Sequence, residues 1–247
     1  MVAGRCSAPR QSLSPSRVNR VERVAENLLS ARERIAGAAD RVGRNAEEIR
    51  LVVVTKTQPV ERVREALAAG AEEIGENYVQ EGERKFGELP PVGVKHLIGH
   101  LQRNKAGKAA LLFEMVQTVD SLELAKALGR RAVAAGRTLD VLIEVNASGE
   151  DSKRGAAPER ALDLAGEAAG VDGLRLLGLM GMAPFTDDER AVRRCFQELR
   201  RLYDSFPGAH RQVLSMGMSG DFELAIAEGS TMVRLGTVIF GARRSQV

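Results

Sequence analysis

A lysine that follows an apolar run is the first residue in the chain that could do chemistry. Residues 51–54 form an unbroken aliphatic segment, which predicts a buried strand, and Lys56 stands between two threonines just after it. A lysine at the rim of a fold can keep its amine in water while its methylene stem covers apolar surface. An amine held in apolar surroundings instead becomes a nucleophile that can form an imine with an aldehyde. Lys56 alone is compatible with both roles.

An arginine lies inside a second apolar run near the end of the chain. Residues 232–235 read Met-Val-Arg-Leu, and a strand there would bury the guanidinium of Arg234. A buried guanidinium needs hydrogen-bond acceptors. A carboxylate such as Glu144 is one candidate partner, and a ring nitrogen or an anionic ligand is the other. The residues themselves leave this choice open.

A segment rich in glycine and serine, residues 215–221, leads into a predicted helix. Its glycines allow backbone N–H groups to approach a ligand, and the start of a helix favours negative charge. Ser219 or Asp221 could equally be a simple helix cap. Gly236 and Thr237, just after the run that contains Arg234, would supply the second half of an anion site.

Short apolar runs alternate with amphipathic segments, after a predicted helix at residues 18–40. The runs predicted as strands are residues 51–54, 73–75, 96–98, 115–119, 141–145, 174–180, 213–216 and 232–235. This alternation implies parallel strands joined by helical crossovers, and continuous apolar runs are typical of strands covered on both faces. The predicted architecture is a single-domain α/β fold, a TIM-type (β/α)8 barrel with an extra N-terminal helix. An open doubly wound sheet is the alternative, although no G-x-G-x-x-G follows the first run.

Functional groups of such a barrel gather at the C-terminal ends of its strands, and the loops after the seventh and eighth strands commonly bind phosphate. Lys56, Arg234 and the two halves of the anion site would then share one face. A phosphate beside an aldehyde-reactive lysine suggests pyridoxal 5′-phosphate. Asn77, after the second strand, is either a helix cap or a ligand to the phenolic oxygen of that cofactor.

Four segments match a known family in place. They are VVVTKTQP, IGENYVQE, HLIGHLQRNK and SMGMSGDFELAIAEGSTMVRLGTVIFGAR. Together they resemble the pyridoxal-phosphate homeostasis proteins, whose fold is similar to the N-terminal barrel of alanine racemase; the resemblance covers about residues 18–243. It implies that Lys56 holds pyridoxal 5′-phosphate as a Schiff base, an internal aldimine. It further implies a pyridine-nitrogen contact for Arg234, a phosphate site at Ser219, Gly236 and Thr237, and positions near the cofactor for Asn77 and Met216.

Two functions are compatible with this resemblance. One is a protein without turnover of its own that holds pyridoxal phosphate in intracellular vitamin B6 homeostasis, with apo pyridoxal-phosphate enzymes as recipients. The other is an amino-acid racemase of fold type III. Such racemases resemble a barrel plus a C-terminal β domain, whose tyrosine from the partner subunit is the second base, whereas this sequence stops at Val247 and Tyr203 is predicted to be core. We therefore expect a non-enzymatic, monomeric carrier.

Composition limits the other classes of partner. The 36 lysines and arginines nearly balance 33 acidic residues, and three of the arginines lie in residues 1–17, so the remaining 33 basic residues equal the acidic ones. This neutrality gives no case for nucleic acid or a membrane surface. Two distant cysteines, Cys6 and Cys195, predict a reducing, cytoplasmic setting and no metal site. Residues 1–16, rich in Ser, Pro and Arg, predict a disordered tail before a barrel at 17–247.

Overall fold

Eight parallel strands of the computed structural model close into a barrel in chain order. The structure describes residues 15–91, 93–150 and 154–242. The strands are β1 (Arg50–Val54), β2 (Glu73–Glu76), β3 (Val94–Leu97), β4 (Met115–Val119), β5 (Leu139–Val145), β6 (Leu174–Gly181), β7 (Val213–Ser215) and β8 (Met232–Leu235). All eight predicted strands are found, and the predicted (β/α)8 barrel is confirmed. The alternative of an open sheet is wrong, because β1 pairs with both β2 and β8.

Helices surround the barrel. They are α1 (Pro15–Asp40), α2 (Val60–Ala68), α3 (Val79–Phe86), α4 (Ala106–Leu112), α5 (Leu122–Ala134), α6 (Pro158–Ala169), α7 (Glu189–Asp204), α8 (Phe222–Ala227) and α9 (Thr237–Phe240). The extra helix before the first strand was predicted from the spacing of its apolar residues. Val24, Leu28 and Ile35 of α1 are buried on one face, and α1 packs against α2, α8 and α9.

The predicted N-terminal tail is largely beyond what the structure describes. Of residues 1–16, only Pro15 and Ser16 are described, and they begin α1. Cys6 also lies outside the described residues, as does Lys153, a candidate for a structural polar network with Glu144 and Asn146, whereas Cys195 is a buried free thiol. None of the helices in the described part of the chain has the length and apolar character needed to cross a membrane.

The barrel interior contains its own apolar cluster, separate from the side chains between the sheet and the helices. Its buried members are Val52, Met115, Leu142, Leu177, Met180, Val213 and Met232. Because side chains alternate between the two faces of a strand, residues two positions further along also point inward. Glu144, Ser215 and Arg234 therefore face the interior near the C-terminal ends of their strands.

One glycine permits β6 and β7 to pack closely. The pairing of β5 with β6 shifts register between Val141 and Leu142, and Gly178 follows this irregularity. A Cβ atom at Gly178 would overlap the carbonyl oxygen of Val213. Only a residue without a side chain fits at this position.

Replacing Gly178 with alanine is expected to lower the free energy of unfolding by about 3 kcal/mol, because the added methyl group forces the two strands apart. Gly166 in α6 is the matched control, since a Cβ there would meet no atom within 4 Å. Gly166→Ala is expected to raise the free energy of unfolding by about 0.5–1 kcal/mol through its helix propensity. Urea unfolding measures both, and equal effects of the two substitutions would contradict the steric explanation.

Candidate functional site at the barrel mouth

Four neighbouring strand ends, those of β7, β8, β1 and β2, contain most of the predicted site residues. In the two pairings of β1, Val53 is opposite Leu235 and Val54 is opposite Gly75. Lys56, half-buried in the turn after β1, therefore lies at the same end of the barrel as Asn77 and Gly236. Barrel closure thus brings together residues from the beginning and the end of the chain.

The loops after β7 and β8 bring a hydroxyl and backbone N–H groups together. The Ser219 hydroxyl accepts hydrogen bonds from the backbone N–H groups of Gly236 and Val238, at 3.3 and 3.4 Å. A Cβ at Gly236 would lie 3.3 Å from the carbonyl oxygen of Val54, so glycine lets β8 end close to β1. Thr237, next in the chain, is exposed to solvent. A hydroxyl and two N–H groups in one place suit the oxygens of a phosphate.

Ser219 and Asp221 do not act as simple caps of the following helix. The side chain of Asp221 makes no capping hydrogen bond to α8. It accepts a hydrogen bond of 2.6 Å from the N–H of Met218 instead, which tightens the loop. Burial raises the pKa of Asp221, while that hydrogen bond and Arg234 oppose the rise. The loop is therefore held in shape by its own groups and leaves Ser219 directed at the end of β8.

Arg234 is almost fully buried and is satisfied by neutral acceptors. Its Nη1 donates to the Ser215 hydroxyl at 2.6 Å, and its Nη2 donates to the carbonyl of Gly181 at 3.0 Å. Burial lowers the pKa of Arg234 to about 10, while Asp221 and Glu144 act in the opposite direction. The guanidinium therefore remains a cation at neutral pH.

A chain of hydrogen bonds runs through the barrel interior from Ser215. The Ser215 hydroxyl donates to Gln117 Oε1 at 2.7 Å, and Gln117 Nε2 donates to His96 Nδ1 at 3.0 Å. Because Nδ1 is the acceptor, Nε2 of His96 holds the proton and donates it to Glu73 at 2.9 Å. Arg50 pairs with the same carboxylate at 2.7 Å. This chain holds Ser215, and through it the guanidinium of Arg234, in one orientation.

The pKa shifts of His96 and Glu73 agree with a hydrogen bond donated by the imidazole to the carboxylate. Burial lowers the pKa of His96, although its hydrogen bond to Glu73 opposes this, so the imidazole is neutral. Burial acts to raise the pKa of Glu73, but the hydrogen bonds from His96 and Arg50 outweigh it and leave the pKa below its usual value. Sequence reasoning missed His96, Gln117 and Ser215 as a unit. The available signal was that each is a polar residue at an inward position of an apolar strand.

A small cavity opens beside Asn77 on the other side of Lys56. It has a volume of about 310 Å³, and its polar lining includes Tyr78, His100, Gln102 and Lys105. The end of β3 approaches Asn77 closely, because a Cβ at Gly99 would overlap the Asn77 carbonyl oxygen. Asn77 is half-buried between this cavity and the Lys56 turn.

Glu144 is a buried carboxyl at the mouth, which the sequence offered as a partner for Arg234 or as part of a structural polar network with Asn146 and Lys153. It is 3% exposed, and its Oε2 has no hydrogen-bond partner among the described residues. Burial, with a smaller contribution from the charge of Asp120, raises the pKa of Glu144 to about 7 against the opposing effect of Arg234 and Arg154. Glu144 thus affects Arg234 through its charge, without a direct hydrogen bond.

Met216 directly follows β7 at the mouth, but its side chain faces away from the barrel interior. It is fully buried in the cluster between the sheet and the helices. The predicted contact between Met216 and a ligand stays a prediction. In the part of the chain that the structure describes, no group of three His, Cys, Asp or Glu side chains could hold a metal ion.

The closed barrel, with a lysine after β1 and an arginine in β8, defines the class of (β/α)8 barrel found in the N-terminal domain of alanine racemase. The sequence model of that family, alanine racemase N-terminal domain, matches residues 27–244. The pyridoxal phosphate homeostasis protein of Escherichia coli K12 is 44% identical over 229 residues, which cover 89% of this chain and 97% of that protein. The protein of the same name from Pseudomonas aeruginosa is 42% identical over 221 residues, 89% of this chain and 96% of the other. The chain belongs to the pyridoxal phosphate homeostasis protein family.

Solved structures agree with this assignment. A protein of unknown function from Bifidobacterium adolescentis superposes with a TM-score of 0.85 at 39% identity, covering 94% of this chain and 98% of the other. PipY of Synechococcus elongatus, solved with PLP bound, has a TM-score of 0.76 at 33% identity and is matched over its whole length by 88% of this chain. Alanine racemase of Clostridium difficile, with a TM-score of 0.72 at 14% identity, shares the fold over 58% of its length.

The raised pKa of Glu144 predicts a pH-dependent effect of Glu144→Gln on cofactor-free protein. The folded state binds the carboxyl proton more tightly than the unfolded state, so the wild type loses stability as pH rises from about 4.5 through about 7. The glutamine variant lacks this loss. We expect the variant to be more stable than the wild type by about 1 kcal/mol at pH 5 and by about 3 kcal/mol at pH 8. Urea unfolding at both pH values measures this, and a difference that does not change with pH would contradict it.

Proposed function

We propose that this protein binds pyridoxal 5′-phosphate and holds it on Lys56 as part of intracellular vitamin B6 homeostasis. The main support is the meeting of Lys56, Arg234 and the Ser219 loop at neighbouring strand ends. The names of the two bacterial relatives, and the bound PLP of PipY, support the same ligand.

Each group at the mouth has a distinct task in this proposal. The Lys56 amine condenses with the aldehyde, forming a C=N bond as its two hydrogens and the aldehyde oxygen leave as water. Arg234 donates an N–H to the pyridine nitrogen. Ser219, Thr237 and the N–H of Gly236 bind the phosphate, and Asn77 lies beside the ring. The cofactor supplies only its reactive aldehyde and ring, and the protein supplies orientation and charge.

We further propose that the protein holds the cofactor without turnover of its own. Arg234 is a permanent donor at neutral pH, so it favours an unprotonated pyridine nitrogen and a ring that withdraws electrons weakly. Tyr203 is buried in α7 and packs in the core, away from any role as a second base. The relatives are named as homeostasis proteins. Transfer to apo enzymes, a monomeric state and a cytoplasmic setting stay predictions.

Replacing Lys56 with alanine is expected to abolish the imine absorption band of protein mixed with pyridoxal 5′-phosphate, because the attachment nitrogen is lost. Lys105, a second lysine near the mouth, provides the control: Lys105→Ala should keep the band. Absorbance spectra and borohydride reduction followed by peptide mass spectrometry measure both. A band that persists in the Lys56 variant would disprove this attachment site.

The purified holoprotein is expected to racemise alanine and serine no faster than free pyridoxal 5′-phosphate does. The reason is that Tyr203 is buried in α7 and that Arg234 weakens the ring as an electron sink. Chiral chromatography of the amino acid measures the rate. Sustained racemisation that disappears in Lys56→Ala would favour a racemase over a carrier.

A further inference from the structure

A fully buried lysine lies behind the Lys56 turn. Lys85 of α3 is 0% exposed, and its ammonium has three acceptors. These are the carbonyl oxygen of Thr55 at 2.6 Å, Glu76 Oε1 at 2.8 Å and Glu81 Oε1 at 2.8 Å. The three acceptors belong to three different elements: the end of β1, the end of β2 and α3. Lys85 therefore ties these elements together at one point.

Both chain neighbours of Lys56 are hydrogen-bonded to the carboxylates that Lys85 contacts. On one side, the Thr55 hydroxyl donates to Glu76 Oε1 at 2.7 Å, the same oxygen that Lys85 contacts. On the other side, the N–H of Thr57 donates to Glu81 Oε1 at 2.7 Å. The backbone before and after Lys56 is thus held by the two carboxylates that Lys85 pairs.

Thr57 has a backbone conformation that needs such support. Its φ angle is +63°, in the left-handed region, which is unfavourable for a β-branched residue. Strain of this kind costs about 1–2 kcal/mol and persists only where the surroundings hold it. The hydrogen bond to Glu81 acts on the amide of this residue. The conformation of the turn that contains Lys56 therefore depends on the Glu81 carboxylate.

Stability alone does not account for a buried ion cluster here. Burial raises the pKa of Glu76 although the hydrogen bonds from Lys85 and Thr55 oppose the rise, so ionising this carboxyl inside the protein carries a cost. Well-packed apolar residues of similar volume often stabilise a fold as much as a buried ion pair does. Unlike an apolar side chain, the ion cluster fixes the orientation of its surroundings, because each of its hydrogen bonds holds a particular oxygen or amide in place.

We propose that Lys85 is a positioning residue: through Glu76 and Glu81 it sets the backbone on both sides of Lys56 and so aims the Lys56 amine at the aldehyde of the cofactor. This inference rests on the proposed function, in which Lys56 is the attachment site. Lys85 itself does not touch the cofactor.

A double variant, Lys85→Met with Glu76→Gln, removes the buried ammonium together with one of its carboxylates. Lys108→Met is the matched control, because Lys108 also pairs with a glutamate of α3, Glu83, at 2.8 Å, but is 61% exposed. The first readout needs no cofactor: amide hydrogen exchange of Thr57. We expect exchange about tenfold faster in the double variant, a factor that corresponds to loss of roughly one net hydrogen bond, and no change in the control.

The second readout separates binding from attachment. Equilibrium dialysis gives the total pyridoxal 5′-phosphate bound, and borohydride reduction with peptide mass spectrometry gives the fraction attached to Lys56. We expect the double variant to retain cofactor through the phosphate loops while the attached fraction falls about tenfold or more, since small misplacements of a reacting group are costly. A folded double variant with wild-type exchange and wild-type attachment would overturn the proposal.

A pair of milder variants covers the case in which the double variant does not fold. Glu81→Leu removes the acceptor of the Thr57 amide, whereas Glu81→Gln keeps an oxygen in its place. We expect faster Thr57 exchange and reduced attachment for leucine, and near-normal behaviour for glutamine. Equal behaviour of the two variants would reject the positioning role. If wild-type protein shows no attachment at Lys56, the proposed function fails, and Thr57 exchange still decides whether Lys85 fixes the turn.

Discussion

The pairing of β1 with β8 is the constraint on which the site depends. Arg50 is opposite Met232, and Val53 is opposite Leu235, so the first and last strands of the barrel lie side by side. Parallel strands joined by helices would otherwise leave two open edges, which closure removes. Lys56 and Gly236 are far apart in the chain and meet only because this pairing exists. The function of the mouth therefore depends on the cooperative closure of the whole sheet.

The closed barrel buries the guanidinium of Arg234 in its interior and supplies hydrogen-bond acceptors for it. An apolar interior would make an isolated guanidinium very costly. Arg234 avoids this cost by donating to a hydroxyl and a carbonyl, and the hydroxyl is itself held by Gln117 and His96. These acceptors are neutral, so Arg234 keeps its positive charge for a ligand. A direct carboxylate partner would have oriented the guanidinium equally well but would have neutralised it.

The strands and the charged residues of the mouth could be predicted because their signals are local. A strand covered on both faces is a continuous apolar run, and a lysine or arginine in or just after such a run, as at Lys56 and Arg234, departs from the pattern. Lys85 has no such signal. It occurs in VQEGERKF, a polar helix that resembles a solvent-exposed surface, and its burial arises from the packing of α3 against the ends of β1 and β2.

Contacts across the barrel could not be predicted from the sequence, because they also depend on packing rather than on a local pattern. His96, Gln117 and Ser215 belong to three different strands, and their hydrogen bonds depend on strand register and on the distance across the interior. The partner of Arg234 also depends on such distances. A charge pair with Glu144 was a reasonable expectation, but Arg234 donates its hydrogen bonds to Ser215 and Gly181 instead. Met216 faces the helices because a residue next to an inward position must face outward.

The two buried cations near the mouth act on opposite sides of Lys56 and for different purposes. Lys85 is neutralised by carboxylates and uses its hydrogen bonds to hold the backbone, whereas Arg234 keeps its charge and is itself held. Burial lowers the pKa of Arg234 only to about 10, so its guanidinium is a cation at neutral pH. In the proposed binding mode, Arg234 would donate a hydrogen bond to the pyridine nitrogen without passing a proton to it. Under the proposed function, an amine held in one orientation and a ring left unprotonated would favour holding the aldehyde over the carbanion chemistry of an enzyme.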